Sequence, residues 1–126
     1  MPLTQIYLRA GKPAAYRQAV CDSLARAMRE TFDVPKDNQF MTLSEHSAEN
    51  FRFDPSYLGI SRSEDLVFIQ IAANDTRSLD QKKELFRRIA QYLSENPGLR
   101  QEDVFINLIE VKKENWSLGN GIAHYA

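Results

Sequence analysis

Leu66-Val67-Phe68-Ile69-Gln70-Ile71, followed after a short polar stretch by Ser78-Leu79-Asp80-Gln81, decides the fold. The first segment is rich in β-branched and aromatic residues and reads as a strand. The second is a capping box, Ser with Gln three residues on, and it opens a helix. Lys82, Leu85, Phe86, Ile89, Ala90 and Leu93 follow at three-and-four spacing as that helix's buried stripe, and Asn96-Pro97-Gly98 breaks it. Residues 104–111 form a further apolar strand. A helix of this length between two strands is the crossover that parallel pairing requires, and such crossovers are right-handed.

The same order stands at the start of the chain. Pro2-Leu3-Thr4-Gln5-Ile6-Tyr7-Leu8 is a short β-type run closed by Ala10-Gly11-Lys12. Pro13 sits where proline favours the first helical turn. Tyr16, Val20, Leu24, Ala27, Met28 and Thr31 then mark one face of a helix, which Val34-Pro35 stops. Phe40-Met41-Thr42-Leu43-Ser44-Glu45-His46 is the next strand. Residues 47–65, rich in Ser, Asp, Pro and Gly, read as an ordered loop in which Phe51, Phe53, Tyr57, Leu58 and Ile60 are available for burial. Two similar halves, residues 3–46 and 66–111, thus make one domain spanning 1–126. The expected fold is two-layer α/β: a double β-α-β repeat with a four-stranded mixed sheet and two helices on one face.

Composition excludes several classes. The chain has 126 residues, 43% hydrophobic and 26% charged, which is ordinary for a folded domain and not for a disordered one. Sixteen basic against seventeen acidic residues give a formal net charge of −1, without the basic excess of a nucleic-acid binder. No apolar run approaches the roughly 20 residues of a membrane span, and no signal-peptide core opens the chain. One cysteine, Cys21, cannot form an intrachain disulfide, so a cytoplasmic location is expected. Its place beside Val20 reads as a packed thiol.

The strands at 66–71 and 104–111 are apolar on both alternating faces, so both faces of the sheet must be covered. Two helices cover one face and the 47–65 loop covers too little of the other. A homo-oligomer follows.

Two residues carry candidate chemistry. Removal of Met1 would expose Pro2 as a secondary amine, and an apolar pocket or a nearby guanidinium lowers an amine's pKa enough to make it a general base. Beside a carboxylate it would instead stay protonated and act as an acid. Arg77 lies between the strand at 66–71 and the cap at Ser78, at the carboxyl end of a strand and the N-terminus of a helix. A guanidinium there can grip a carboxylate through two parallel hydrogen bonds. His46 and His124 are the only histidines and lack metal-ligand spacing, so no metal is expected. Phosphate-binding, Ser-nucleophile and paired-Cys motifs are absent. Asp33, Asp37 and Asn38 around Pro35 read as turn formers, and Asn120-Gly121 as a turn.

The chain resembles the tautomerase superfamily, in its malonate semialdehyde decarboxylase-like branch. The matching residues are Met1-Pro2-Leu3, Phe32-Asp33-Val34-Pro35, His46, Leu58-Gly59 with Arg62-Ser63, Arg77-Ser78 with Gln81-Lys82, and Trp116-Ser117-Leu118-Gly119-Asn120-Gly121 with Tyr125. The resemblance implies a homotrimer and cofactor-independent chemistry on 2-oxo or 3-oxo acids by an amino-terminal proline. Pro2 matches that proline, and Arg77 matches the second of the decarboxylase's two arginines. The first is replaced by Asp75 or, with the gap placed elsewhere, Asn74. The decarboxylase aspartate falls on Asn38, with Asp37 one residue away. Trp116, Leu118 and Tyr125 match the apolar wall of its pocket.

With one arginine and the carboxylate gone, the expected activity is a tautomerase acting on small-molecule 2-oxo acid enols such as phenylpyruvate. Pro2 is the base, Arg77 holds the carboxylate, and Asp37, Asn38, Trp116, Leu118 and Tyr125 line the substrate. The alternative enzyme is a decarboxylase or hydratase with a cationic Pro2 and Asp37 in the aspartate's role. A non-enzymatic reading, a ferredoxin-like binding module, also fits the element order; its fourth strand lacks the basic and aromatic alternation of an RNA platform.

Overall fold

A computed structural model describes residues 2–126. The elements run β1 (Leu3–Arg9), α1 (Ala14–Phe32), β2 (Phe40–His46), β3 (Val67–Asn74), α2 (Leu79–Glu95) and β4 (Val104–Val111), with two short 3₁₀ turns between β2 and β3, one before β4 and one after it. The sheet order is β2-β1-β3-β4. β1 is parallel to β2 and β3 is parallel to β4, while β1 and β3 join the two halves antiparallel, Ile6 opposite Ile69. The mixed sheet with two helices on one face is the expected architecture.

Alternation along the strands sets the layers. Ile6 and Leu8 of β1, and Val67, Ile69, Ile71 and Ala73 of β3, point to the helices and are buried. They meet Val20, Leu24, Ala27 and Met28 of α1 and Leu85, Ile89 and Leu93 of α2 in one core. Truncating a wholly buried member such as Ile69 to alanine costs about 2–5 kcal/mol, because the transfer loss and the cavity add. Cys21 packs at the edge of this core, and burial pushes its thiol pKa up.

The capping box at Ser78 forms as expected, with Ser78 Oγ accepting from Gln81 N–H at 3.2 Å and Gln81 Oε1 accepting from Ser78 N–H at 3.0 Å. Other boundaries differ from expectation. The third strand continues past residue 71 to Asn74, because parallel pairing with β4 carries the ladder to Asn74 opposite Val111. Pro13 is the N-cap of α1 and not part of its first turn. α1 ends at Phe32, before Val34-Pro35, because Asp33 turns left-handed (φ 55°) and its N–H closes on the Met28 carbonyl.

The opposite sheet face is open. Register aligns it in rows: Phe40, Leu3, Ala72 and Ile109; then Thr42, Gln5, Gln70 and Asn107; then Ser44, Tyr7, Phe68 and Phe105. The 47–65 loop covers only the last row. Phe51 is buried and stacks on Phe68 at 4.8 Å, whereas Tyr57, Leu58 and Ile60 project outward instead of burying as expected. Leu58 is 77% exposed, on a left-handed backbone that turns it away from the sheet. No helix among the described residues is long and apolar enough to cross a membrane.

Candidate active site

Strand register gathers the candidate residues at one end of the molecule. Pro2 directly precedes β1, and its neighbour Leu3 pairs with Phe40, the first residue of β2, and with Ala72 near the end of β3. Ala72 in turn pairs with Ile109 near the end of β4. The loop before β2, the turn after β3 and the tail after β4 therefore all emerge around Pro2.

Pro2 is buried, in a cavity of about 220 Å³ formed with Leu3, Phe40, Trp116, Ser117 and Leu118. The lining is apolar apart from Ser117 and carries no titratable side chain among the described residues. An amine in such surroundings loses hydration of its charged form. Met1, whose removal the catalytic reading of Pro2 requires, lies outside the described residues. A larger cavity, about 500 Å³, opens on the bare sheet face beside Tyr7, Phe68, Gln70 and Phe105, away from any acid–base pair.

Trp116 and Leu118 line the Pro2 cavity. The indole Nε1–H of Trp116 donates to Asn74 Oδ1 at 2.7 Å, and Leu118 N–H donates to His124 Nδ1 at 3.2 Å. Left-handed Asn120 and Gly121 reverse the tail, as the Asn-Gly pair predicts. Tyr125 lies just beyond His124, 39% exposed and outside the lining.

Arg77 occupies the turn between β3 and α2. Its Nη2 donates to the Phe32 carbonyl at 2.9 Å, and the guanidinium lies 4.7 Å from the centre of the Phe32 ring. A cation at the C-terminus of α1 is favourably placed against the helix dipole. Burial lowers its pKa, and Asp33 nearby acts in the opposite direction. Arg77 does not line the Pro2 cavity. Asn38 N–H donates to the Pro35 carbonyl at 3.0 Å, closing the turn that leads to β2. Asp37 is exposed on that turn, and neither it nor Asn38 reaches the cavity lining.

Leu3, Phe40 and Ser117 line the cavity without having been marked in the sequence as site residues. Leu3 and Phe40 read only as strand positions, and their opposition across β1 and β2 needs the register. The anchoring role of Asn74 was likewise hidden, since it depends on where β3 ends.

A family model described as "Tautomerase enzyme" matches residues 38–119. The chain is 37% identical to the probable tautomerase YusQ of Bacillus subtilis (strain 168), over 98% of this chain and 97% of that protein. Its fold superposes on malonate semialdehyde decarboxylase with a TM-score of 0.91 at 27% identity, covering 98% of this chain and 95% of the other. A wild-type fused 4-OT, a symmetric trimer, shares the fold with a TM-score of 0.79 at 18% identity, covering 95% of this chain and 94% of the other. With its paired β-α-β halves and its buried proline ahead of β1, the chain belongs to the tautomerase superfamily, in the malonate semialdehyde decarboxylase-like branch.

Proposed function

We propose that the chain is a cofactor-independent keto–enol tautomerase for enols of 2-oxo acids such as phenylpyruvate, with Pro2 as the general base once Met1 is removed. The observation that carries this reading is the burial of Pro2 in an apolar cavity whose lining has no carboxylate among the described residues. A neutral secondary amine takes the enol hydroxyl proton. As the C=C electrons move and the C–O bond becomes C=O, the proton returns to the adjacent carbon. The reaction is an isomerisation, with nothing oxidised or reduced. Arg77, at the same end of the molecule, is the cation for the substrate carboxylate, and Trp116, Leu118 and Tyr125 enclose its apolar end. Asp37 and Asn38 border the entrance. Replacing Pro2 by alanine in processed protein is expected to reduce ketonisation by about 10²-fold or more, the scale of a lost general base; unchanged turnover would refute the assignment.

The close superposition on malonate semialdehyde decarboxylase favours one second reading, a decarboxylase or hydratase in which Pro2 is cationic and Asp37 keeps it so. Release of carbon dioxide from a 3-oxo acid, lost on Asp37→Asn, would establish it.

We infer further that the one-domain chain assembles as a homotrimer through its open sheet face and works in the cytoplasm. The exposed apolar side chains of that face, Phe40, Phe105, Leu3 and Ile109, support self-association. The trimeric fused 4-OT of the same fold supports the number. The lone Cys21 suits a reducing compartment.

A further inference from the structure

The tail that walls the Pro2 cavity is weakly built. Residues 113–115 form a single 3₁₀ turn, and Gly119, Asn120 and Gly121 all have positive φ. Hydrogen bonds in the tail are otherwise local: Asn115 to Lys112, Leu118 to His124, Ile122 to Gly119 and Ala126 to Ala123. Among the described residues, the bond from Trp116 Nε1–H to Asn74 Oδ1 is the only one joining residues 116–126 to the sheet. The acceptor is well placed for this. Asn74 is the last residue of β3, held in register opposite Val111, and the ladder continues through Asp75 N–H to the Val111 carbonyl at 3.0 Å.

We propose that Asn74 is a positioning residue: its carboxamide oxygen fixes the Trp116 ring as a wall of the Pro2 cavity and so keeps water away from the Pro2 nitrogen. This inference rests on Pro2 being the reacting group. It adds a reason for an amide at a place where a charged side chain would not serve. An arginine offers no acceptor to an indole N–H. A carboxylate would accept, but would put a negative charge beside a cavity lined only by Pro2, Leu3, Phe40, Trp116, Ser117 and Leu118, none of them charged.

Trp116 is the only tryptophan of the chain, so intrinsic fluorescence excited beyond tyrosine absorption reports this ring alone. The test combines that signal with pH–rate profiles of full-length processed protein. Asn74→Ala is expected to red-shift the emission, increase acrylamide quenching, and raise KM for an aryl 2-oxo acid enol by about three- to tenfold, the scale of one part-buried hydrogen bond. The pH at which activity rises should move up by about half a unit as the amine becomes better hydrated, while kcat at the optimum changes less than about twofold. Asn74→Asp, which keeps the acceptor, should restore the emission. Trp116→Phe, which keeps a ring but has no donor, should reproduce the KM and pH shifts, and Asn74→Ala added to it should shift them no further.

Wild-type emission in Asn74→Ala overturns the proposal, as does a moved indole with an unchanged KM and pH profile. If Asn74→Ala does not fold, Trp116→Phe decides alone: a wild-type KM and profile there overturn it. Failure of the underlying reading looks different, because Pro2→Ala would then retain turnover whatever Asn74 does.

Discussion

Arg77 Nη2 donates to the carbonyl oxygen of Phe32 at 2.9 Å while its guanidinium covers the Phe32 ring at 4.7 Å. One side chain thus caps a free carbonyl at the end of α1 with one of its five N–H groups, and the proposed function assigns the others to the substrate carboxylate. Arg77→Ala is expected to lower stability by about 1–2 kcal/mol, through the lost charge-assisted bond and helix-end cation. It should also raise KM for a carboxylate substrate by about tenfold or more. Arg77→Lys keeps the charge without the fork, so KM should suffer more than stability does. Denaturant melts and steady-state kinetics on both variants check this; destabilised protein with an unchanged KM would remove Arg77 from substrate binding.

The pH dependence of turnover separates base from acid chemistry. Arginine keeps its charge throughout the working range, so the proposed mechanism predicts that the limb of the profile comes from the amine of Pro2. As a base, Pro2 acts when neutral, and kcat/KM should rise with pH through its pKa and then level. A cationic Pro2 gives the opposite sign, a fall on the basic side. The profile of Pro2→Ala, lacking the same limb, identifies the group.

Phe105 ends the aromatic row of the open face, 45% exposed and edge-on to Phe68 at 5.2 Å. Phe105→Asp places a charge where a neighbouring copy is proposed to sit, and desolvating it there is costly. The variant is expected to sediment as a monomer under conditions where the parent sediments at three times the chain mass. Its far-ultraviolet circular dichroism should be unchanged, because the helix-facing core is not touched.

Acid stability should depend on the outer side of α2. Hydrogen bonds from Arg87 and Arg88 hold the Glu84 carboxyl well below the usual range, at about 2. A lowered folded-state pKa stabilises above the unfolded value, near 4.5, and that contribution is lost as pH falls toward 2. Glu84→Gln should therefore show a shallower decline of Tm between those limits than the parent. Because the carboxylate is solvent-facing, raising the salt concentration should narrow the difference.

Much of the fold was legible because two periods dominate the sequence. The capping box at Ser78 and the stripe through Leu85, Ile89 and Leu93 fixed α2 to within a residue, and the repeated strand–helix–strand order implied the two parallel pairs. Boundaries set by tertiary pairing were not legible: Asn74 belongs to β3 because β4 lies beside it. The loop was misread for a related reason. Phe51 finds Phe68 to stack on, whereas Tyr57 only edges a cavity beside Phe68 and Phe105 and stays 62% exposed, and Leu58 stays 77% exposed. At the site, Pro2 was marked from the residues alone and Trp116 and Leu118 through resemblance, and the three line one cavity. Asp37, Asn38, Arg77 and Tyr125 come to the same end of the molecule without lining it. Phe40 was missed because only the β1–β2 register brings it opposite Leu3.

The row Thr42, Gln5, Gln70 and Asn107 runs between two apolar rows on the bare side of the sheet. A uniformly oily surface would accept a visitor at many offsets with similar gain. Here a visitor displaced by one pleat sets hydrocarbon against amides, stranding donors and acceptors at about 1–3 kcal/mol apiece. In the proposed homotrimer this row of three amides and one hydroxyl would act as a key cut into the sheet, contributing little to the strength of docking and much to its fidelity.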